Sequence, residues 1–160
     1  TYTGGTAING GILQVNSTAA LHTAGNIAFG GGTLQHTANN TVDYSARIVN
    51  SASAINIDTN GQVVRYAAGL AGTNTAGLVK QGTGTLSLNA AQSYTGATTV
   101  SGGTLNGSGS VSSAITVQSG GTLSAGSSTF VASGDGVGTF AVTGAGTLTW
   151  TRRAPRLAAS

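Results

Sequence analysis

The chain has 160 residues, a formal net charge of +3 and no cysteine, and only 6% of its residues are charged. Half of it is Gly, Thr, Ser or Asn, whereas an ordinary globular domain has about 25% charged residues. The lack of cysteine excludes a small disulfide-stapled fold, and no apolar run approaches the ~20 residues of a membrane-spanning helix. The body is neutral and the charge excess lies in Arg152, Arg153 and Arg156, which argues against nucleic-acid binding because binders carry a basic stripe across the fold.

Short segments that alternate apolar and small polar residues recur along the chain, each beside a glycine-rich turn. In chain order they are NGGILQV (9–15), IAFGGGTLQ (27–35), AINID (54–58), VVRY (63–66), QGTGTLSL (81–88), VSGGTLNG (100–107), ITVQSGGTLSAG (115–126) and FAVTGAGTLTW (140–150). Alternation at period two is typical of a half-buried strand. The phenylalanines and the tryptophan of the chain are predicted to be core or end-cap residues: Phe29, Phe130, Phe140 and Trp150.

The leucines that close these segments recur at spacings of 21, 52, 19, 18 and 25 residues, namely Leu13, Leu34, Leu86, Leu105, Leu123 and Leu148. Self-similar units with a period near 20 indicate a repeat architecture in which each unit closes its core only by stacking on its neighbours. The sequence therefore predicts an all-β fold: a single-stranded, right-handed parallel β-helix of about eight rungs over residues 1–150. The alternative is an antiparallel β-sandwich, since the Asn-Gly and Asp-Gly pairs would suit its hairpins.

The two ends of the chain differ from this pattern in different ways. Residues 151–160, TRRAPRLAAS, contain the only proline and half of the basic residues, and are predicted to be a basic tail, a linker or disordered, with a docking segment as the alternative. The chain begins at Thr1 within a repeat unit, which suggests a processed protein or an excised fragment.

One stretch carries a family resemblance. From Gly77 to Leu105 the sequence reads GLVKQGTGTLSLNAAQSYTGATTVSGGTL, which closely resembles the passenger-associated transport repeat, also called the autotransporter-associated β-strand repeat. The positions that fall on the repeat pattern are Leu78, Lys80, Gly82, Gly84, Thr85, Leu86, Leu88, Tyr94, Gly96, Thr98, Val100, Gly103 and Leu105. Residues 2–15 resemble the second half of a preceding repeat, and residues 32–64 resemble the stretches between such repeats.

The resemblance implies a β-helical passenger segment of a protein that is secreted or displayed at the bacterial cell surface. It implies a structural, transport-associated role as a stalk or adhesin scaffold, without catalysis or cofactor. The partner that it implies is the rest of a longer chain, either an outer-membrane β-barrel or other passenger modules. Two alternatives stay open: a filament subunit that assembles by end-to-end stacking, and a module that binds glycans or processes polysaccharides, with a host or matrix glycan or protein as partner.

The residues with reactive side chains predict no catalytic, cofactor or metal site. Asp58 and Asp135 are expected in turns where the carboxylate bonds its own backbone, and Asp43 is far from both in sequence. His22 and His36 make a poor metal site, because no third ligand accompanies them. Both are expected to be exposed polar residues. Lys80 is expected to be a solvated residue at a rung edge. Tyr2 and Tyr94 are expected to cover a corner of the core, with the ring buried and the hydroxyl in water.

Overall fold

The computed structural model describes residues 4–124 and, beyond them, the backbone of three further strands. The strands are β1 (Thr6–Ile8), β2 (Ile12–Gln14), β3 (Ile27–Phe29), β4 (Thr33–Gln35), β5 (Ile55–Asp58), β6 (Val63–Tyr66), β7 (Leu78–Gln81), β8 (Thr85–Leu88), β9 (Thr98–Val100), β10 (Gly103–Asn106), β11 (Ser110–Val117), β12 (Gly121–Ser124), β13 (Thr129–Gly134), β14 (Thr139–Ala141) and β15 (Thr147–Arg152).

The strands form three parallel stacks. The longest sheet has the order β15-β13-β11-β9-β7-β5-β4-β2, a second has the order β14-β12-β10-β8-β6, and a third pairs β1 with β3. Every strand pair within the described part of the chain is parallel and joins a strand to its equivalent one turn later. This confirms the parallel β-helix and shows that the antiparallel β-sandwich was wrong.

The third stack continues beyond β3 as irregular backbone. A parallel bridge joins Ile27 to Ile48, and the amide of Ser93 donates to the carbonyl of Leu70 at 3.1 Å. The β-helix therefore stays closed on this side without long strands, because single hydrogen bonds between turns satisfy the backbone.

Residues 4–124 make about six turns, slightly fewer than the about eight rungs predicted for residues 1–150. The strands β13 and β15 continue the longest sheet after them. Because β15 ends at Arg152, residues 153–160 lie outside the described residues, and the assignment of 151–160 as a tail stays a prediction.

Side chains alternate between the interior and the surface along the strands. In the longest sheet the inward column contains Leu13, Leu34, Ile57, Lys80, Val100 and Val117. In the second sheet it contains Val64, Leu86, Leu105 and Leu123. All but Leu13 are buried, and each apolar one contributes roughly 1.5–3 kcal/mol by leaving water. Phe29 is 1% exposed, which confirms it as a core residue, whereas the side chains of Phe130, Phe140 and Trp150 lie outside the described residues.

The recurring Gly-Thr-Leu triplet is explained by the second sheet. At residues 84–86, 103–105 and 121–123, the glycine lies at the corner, the threonine in the outward column and the leucine in the inward column. Gly84 and Gly103 have φ angles of 87° and 63°, a left-handed conformation that glycine adopts without steric cost. The triplet thus encodes one corner followed by one strand.

Helical structure in the described residues is limited to one 3-10 turn at Ser45–Arg47. None of these residues belongs to a helix of the length and apolarity needed to span a bilayer.

Candidate functional site

The thirteen residues that match the repeat pattern have three kinds of position. Leu78, Lys80, Leu86, Leu88, Tyr94, Thr98, Val100 and Leu105 are buried. The glycines occupy tight corners: Gly82, Gly84, Gly96 and Gly103. Thr85 lies in the outward column of β8, in register with Thr104 of β10. The pattern therefore describes the interior and the corners of the β-helix, with one outward position.

The placement of Lys80 corrects the prediction from the sequence. It is fully buried, and its partners in the inward column are Ile57 on one side and Val100 on the other. The expectation of a solvated rung-edge residue was wrong because alternation decides the side: Leu78 points inward, so the residue two positions later does as well. This two-residue spacing is visible in the sequence, but the positive charge of the side chain favoured the prediction of exposure.

The ammonium of Lys80 finds three acceptors where two successive corners meet. Its Nζ donates to the carbonyls of Gln81 at 2.7 Å, Gly82 at 2.8 Å and Gly102 at 3.0 Å. The first acceptor is the last residue of β7, the second directly follows β7 and the third directly precedes β10. One lysine thus ties consecutive turns together, and its three N–H groups match three carbonyls.

The glycines of the motif provide the space for this ammonium. A Cβ at Gly103 would lie 2.9 Å from the Lys80 Nζ and 2.4 Å from the Gly84 carbonyl oxygen. A Cβ at Gly82 would lie closer still to the Asp58 carboxylate. A side chain at either position would displace backbone or a charged group, so the lysine and the glycines form one structural unit.

Burial lowers the pKa of Lys80 to about 8, and the carboxylate of Asp58 opposes that shift. Desolvation disfavours the charged amine, whereas the three carbonyl acceptors favour it. Since this amine points into the interior and is saturated by backbone, the arrangement is suited to holding two turns together rather than to attacking a substrate.

Tyr94 and Thr98 form a second polar contact within the motif. The Tyr94 hydroxyl lies 2.5 Å from the Thr98 Oγ1, and both residues are buried. The ring is buried as expected, but the expectation of a hydroxyl in water was wrong, because the inward Thr98 partners it. Burial raises the pKa of Tyr94 to about 12, and the Thr98 contact partly offsets this. Tyr2, its counterpart in the first repeat unit, lies outside the described residues.

A buried polar cluster lies where the chain leaves β4. The His36 ring stacks on Tyr44 at 5.9 Å between centroids and meets the edge of Tyr66 at 6.4 Å. The Asn40 side chain donates to the Tyr44 hydroxyl at 2.7 Å. All four side chains are at most 2% exposed. The prediction that His36 is exposed was therefore wrong, and His22 is half-buried. No spacing signal in the sequence could have found this cluster, because its members come from two successive turns.

Arg47 fastens an adjacent loop. Its guanidinium donates to the carbonyls of Leu21, His22, Ala24 and Gly25 at 2.6–2.9 Å. It also lies 5.8 Å above the Tyr44 ring. A planar guanidinium with five donors is well matched to such a set of carbonyls. This role was also not evident from the sequence.

The carboxylates in the described part of the chain serve the backbone. Asp58 accepts from the amide of Asn60 at 2.8 Å, which confirms the predicted turn, and from the side chain of Gln35 at 2.7 Å. Asp43 accepts from the amides of Ser45 and Ala67. No group of three or more His, Cys, Asp or Glu residues that could hold a metal occurs among the described residues, and Asp135 lies outside them.

The fold and these sites define a structural repeat protein: a parallel β-helix whose motif residues build its core and corners. The family model of the passenger-associated-transport-repeat matches residues 1–15 and 78–106. The chain is 37% identical over 119 residues to the adhesin BmaC autotransporter of Brucella suis biovar 1 (strain 1330). Both comparisons support the identification of this chain as a segment of an autotransporter passenger.

That alignment covers 66% of this chain but 4% of the relative, so the chain spans a small part of the length of that protein. No solved structure matches the chain significantly. Since passenger repeats of autotransporters belong to the exported part, the segment is extracellular or displayed at the bacterial surface.

Proposed function

We propose that this segment is a scaffold within an adhesin-like passenger, and that it holds other modules away from the cell. The observation that carries the proposal is the inward column of the longest sheet, which continues from turn to turn. From Leu13 to Val117 its residues are apolar except for Lys80. Each turn offers the next a paired strand edge and a matching apolar surface, so the chain can fold processively as it emerges at the cell surface. The likeness to an autotransporter adhesin supports the same role.

The partners under this proposal are the other parts of the same polypeptide, including an outer-membrane β-barrel that delivers the passenger. The repeat match and the solenoid fold indicate a structural role rather than a catalytic one. Neither the fold nor the comparisons support the filament hypothesis or the glycan hypothesis.

The folding role can be tested with a matched pair of variants in the full protein that carries this segment. Leu105→Asp places a charge in the inward column, whereas Thr104→Asp places the same charge in the outward column one residue earlier. We expect Leu105→Asp to abolish protease-resistant surface display, because an isolated buried carboxylate costs far more than one leucine contributes. Thr104→Asp should retain display, and equal display of both variants would contradict the proposal.

A replacement separates the scaffold role from direct binding. Residues 4–124 are exchanged for an unrelated parallel β-helix with about six turns, and surface display and adhesion are measured together. If the segment is a scaffold, both are retained. If display persists while adhesion is lost, the segment itself carries the binding surface, and the scaffold proposal is wrong.

A further inference from the structure

One buried histidine is arranged so that it can be charged only at a cost. The Nδ1 of His36 lies 3.1 Å from the carbonyl oxygen of Asn40. A carbonyl can only accept, so Nδ1 carries the proton and Nε2 is the bare nitrogen of the neutral ring. That Nε2 is buried and has no hydrogen-bond partner, and neither has the nearby Tyr66 hydroxyl.

The segment that follows this histidine is one of the stretches between strands, and it is held mainly by side-chain hydrogen bonds. Between β4 and the bridge at Ile48, residues 36–47 contain no strand of either long sheet, only an isolated bridge from Thr37 to Asn40 and the 3-10 turn. Polar contacts attach it to the preceding turn: Thr37 Oγ1 donates to the Val15 carbonyl at 2.8 Å, and Asn40 Nδ2 donates to the Ser17 carbonyl at 2.5 Å. The stack of His36 on Tyr44 closes it from inside.

We propose that His36 is an acid-sensitive switch: its protonation releases residues 36–47 from the β-helix while the stacked sheets remain formed. A second proton on the ring would turn Nε2 into a donor without an acceptor and leave a positive charge in the core. A buried donor without a partner is costly. The segment can relieve that cost by opening, because side-chain hydrogen bonds rather than paired strands hold it in place, including those of Arg47 with residues 21–25 and those of Asp43 and Ser45 with the amides of Ala67 and Ala68.

The neighbouring groups do not neutralise this charge. Tyr44 and Tyr66 present neutral rings, and burial raises the pKa of Tyr66, so its hydroxyl stays protonated. The Asp58 carboxylate favours the charged ring, but it is engaged by Gln35 and Asn60. The other charged groups around the cluster are Asp43, which accepts from Ser45 and Ala67, Arg47 above Tyr44, and Lys80 near Asp58.

The direction of the pH dependence follows from burial, which lowers the pKa of His36 below the ordinary histidine value of about 6.5, although Asn40 and Asp58 act in the opposite direction. Burial disfavours the charged form of the ring, so the closed state binds fewer protons than the open state does. The contribution of neutral His36 to the stability of the closed segment is therefore fully present above about pH 6.5. It is lost as the pH falls through the pKa that His36 has in the closed state. The closed segment is expected at neutral pH and the open segment in acid.

Hydrogen exchange measured by mass spectrometry tests this in the 160-residue chain at pH 7.5 and 5.0, after correction for intrinsic exchange rates. The variant His36→Asn keeps a donor for the Asn40 carbonyl but cannot be protonated, and His22→Asn is the matched control. We expect peptides from residues 36–48 of the wild type and of His22→Asn to lose protection several-fold at pH 5.0, with peptides from residues 98–117 unchanged. In His36→Asn the protection of residues 36–48 should not depend on pH.

An equal pH response in His36→Asn, or none in the wild type, would overturn the proposal. Because the variant could be poorly folded, an NMR titration of the His36 ring in the wild type gives an independent answer. A pKa below the unfolded value of about 6.5 supports the switch, and a pKa at or above that value refutes it.

Discussion

At the scale of single residues, the polar side chains inside this β-helix are matched to backbone groups that become available only at its corners. Lys80 is the main example, since its ammonium replaces an apolar contact in the inward column by three hydrogen bonds to carbonyls. Its burial brings a desolvation cost, and a buried charge is not in itself evidence of stability. What it contributes is a fixed link between two corners.

Two substitutions at Lys80 separate its stem from its charge. Lys80→Met keeps a straight chain in the column but leaves the three carbonyls without their donor, and we expect a loss of about 1–2 kcal/mol. Lys80→Ala also leaves a cavity, so we expect a loss of about 3 kcal/mol or more. Chemical denaturation measures both, and an Ala variant as stable as the Met variant would show that the stem does not pack.

The difference between wild type and Lys80→Met should also depend on pH. Burial lowers the pKa of Lys80 to about 8 in the folded chain, from 10.5 for an ordinary lysine. Between these values the folded chain has released a proton that the unfolded chain still holds, so the stability of the wild type rises relative to the variant as the pH increases. Denaturation midpoints of both proteins at pH 7.5 and 9.5 test this. A stability advantage of the wild type over Lys80→Met that is smaller at pH 9.5 than at pH 7.5 would contradict it.

Gly103 is a corner residue that is expected to tolerate substitution poorly. Its φ of 63° is unfavourable for other residues, and a Cβ would lie 2.4 Å from the Gly84 carbonyl oxygen. We expect Gly103→Ala to cost about 2 kcal/mol or more, of which roughly 1–2 comes from the left-handed backbone. Gly10→Ala is the control, because nothing lies within 4 Å of its Cβ position. Equal melting temperatures for the two variants would refute this account.

At the scale of elements, short strands are supplemented by side chains that fasten the loops between them. Most strands in residues 4–124 have only three or four residues, so each contributes few ladder hydrogen bonds. The loop before β3 has no strand of its own and is held by the four bonds from the Arg47 guanidinium.

Removal of that guanidinium should loosen the loop without opening the sheets. In Arg47→Ala we expect faster amide exchange in residues 17–26 and little change in β7 to β10, because the carbonyls of the loop lose a shared donor. Arg65→Ala is the control, since Arg65 is exposed on β6. If both variants exchange alike in residues 17–26, Arg47 does not hold the loop.

At the scale of the whole molecule, each turn contacts mainly the turns before and after it. Stability in such an array is approximately a sum of terms for single turns and for neighbouring pairs. Damage to one turn should therefore spread to its neighbours and weaken with distance along the axis, rather than unfold all turns equally.

Leu105→Ala tests this, because Leu105 lies between Leu86 and Leu123 in the inward column. We expect a cost of about 2–4 kcal/mol, with protection lost most in β8, β10 and β12 and least in β3 and β4. Thr104→Ala, one residue earlier in the outward column, should change little. Uniform loss of protection in residues 4–124 of Leu105→Ala would indicate a single cooperative unit instead.

The sequence by itself determined the fold class and most of the core. A period near 20 with alternation inside each unit leaves few architectures, because every strand must pair with its counterpart in the next unit. The leucines that recur beside glycine-rich turns marked equivalent positions of successive units, and the register that pairs Leu86 with Leu105 and Leu105 with Leu123 agrees with this. Leu78 and Lys80 are two positions apart in one strand, so the alternation in the sequence also implied that the lysine points inward.

The tertiary structure alone decided what the buried polar residues do. Lys80 is stable inside only because residues 81–82 and 102 bring carbonyls from successive turns to one point. His36 and Tyr66 likewise meet across two turns, some thirty positions apart in the chain. Charge and polarity predict exposure when a residue is considered alone. Stacking reverses that prediction at these sites, because it supplies acceptors and ring contacts that no single turn contains.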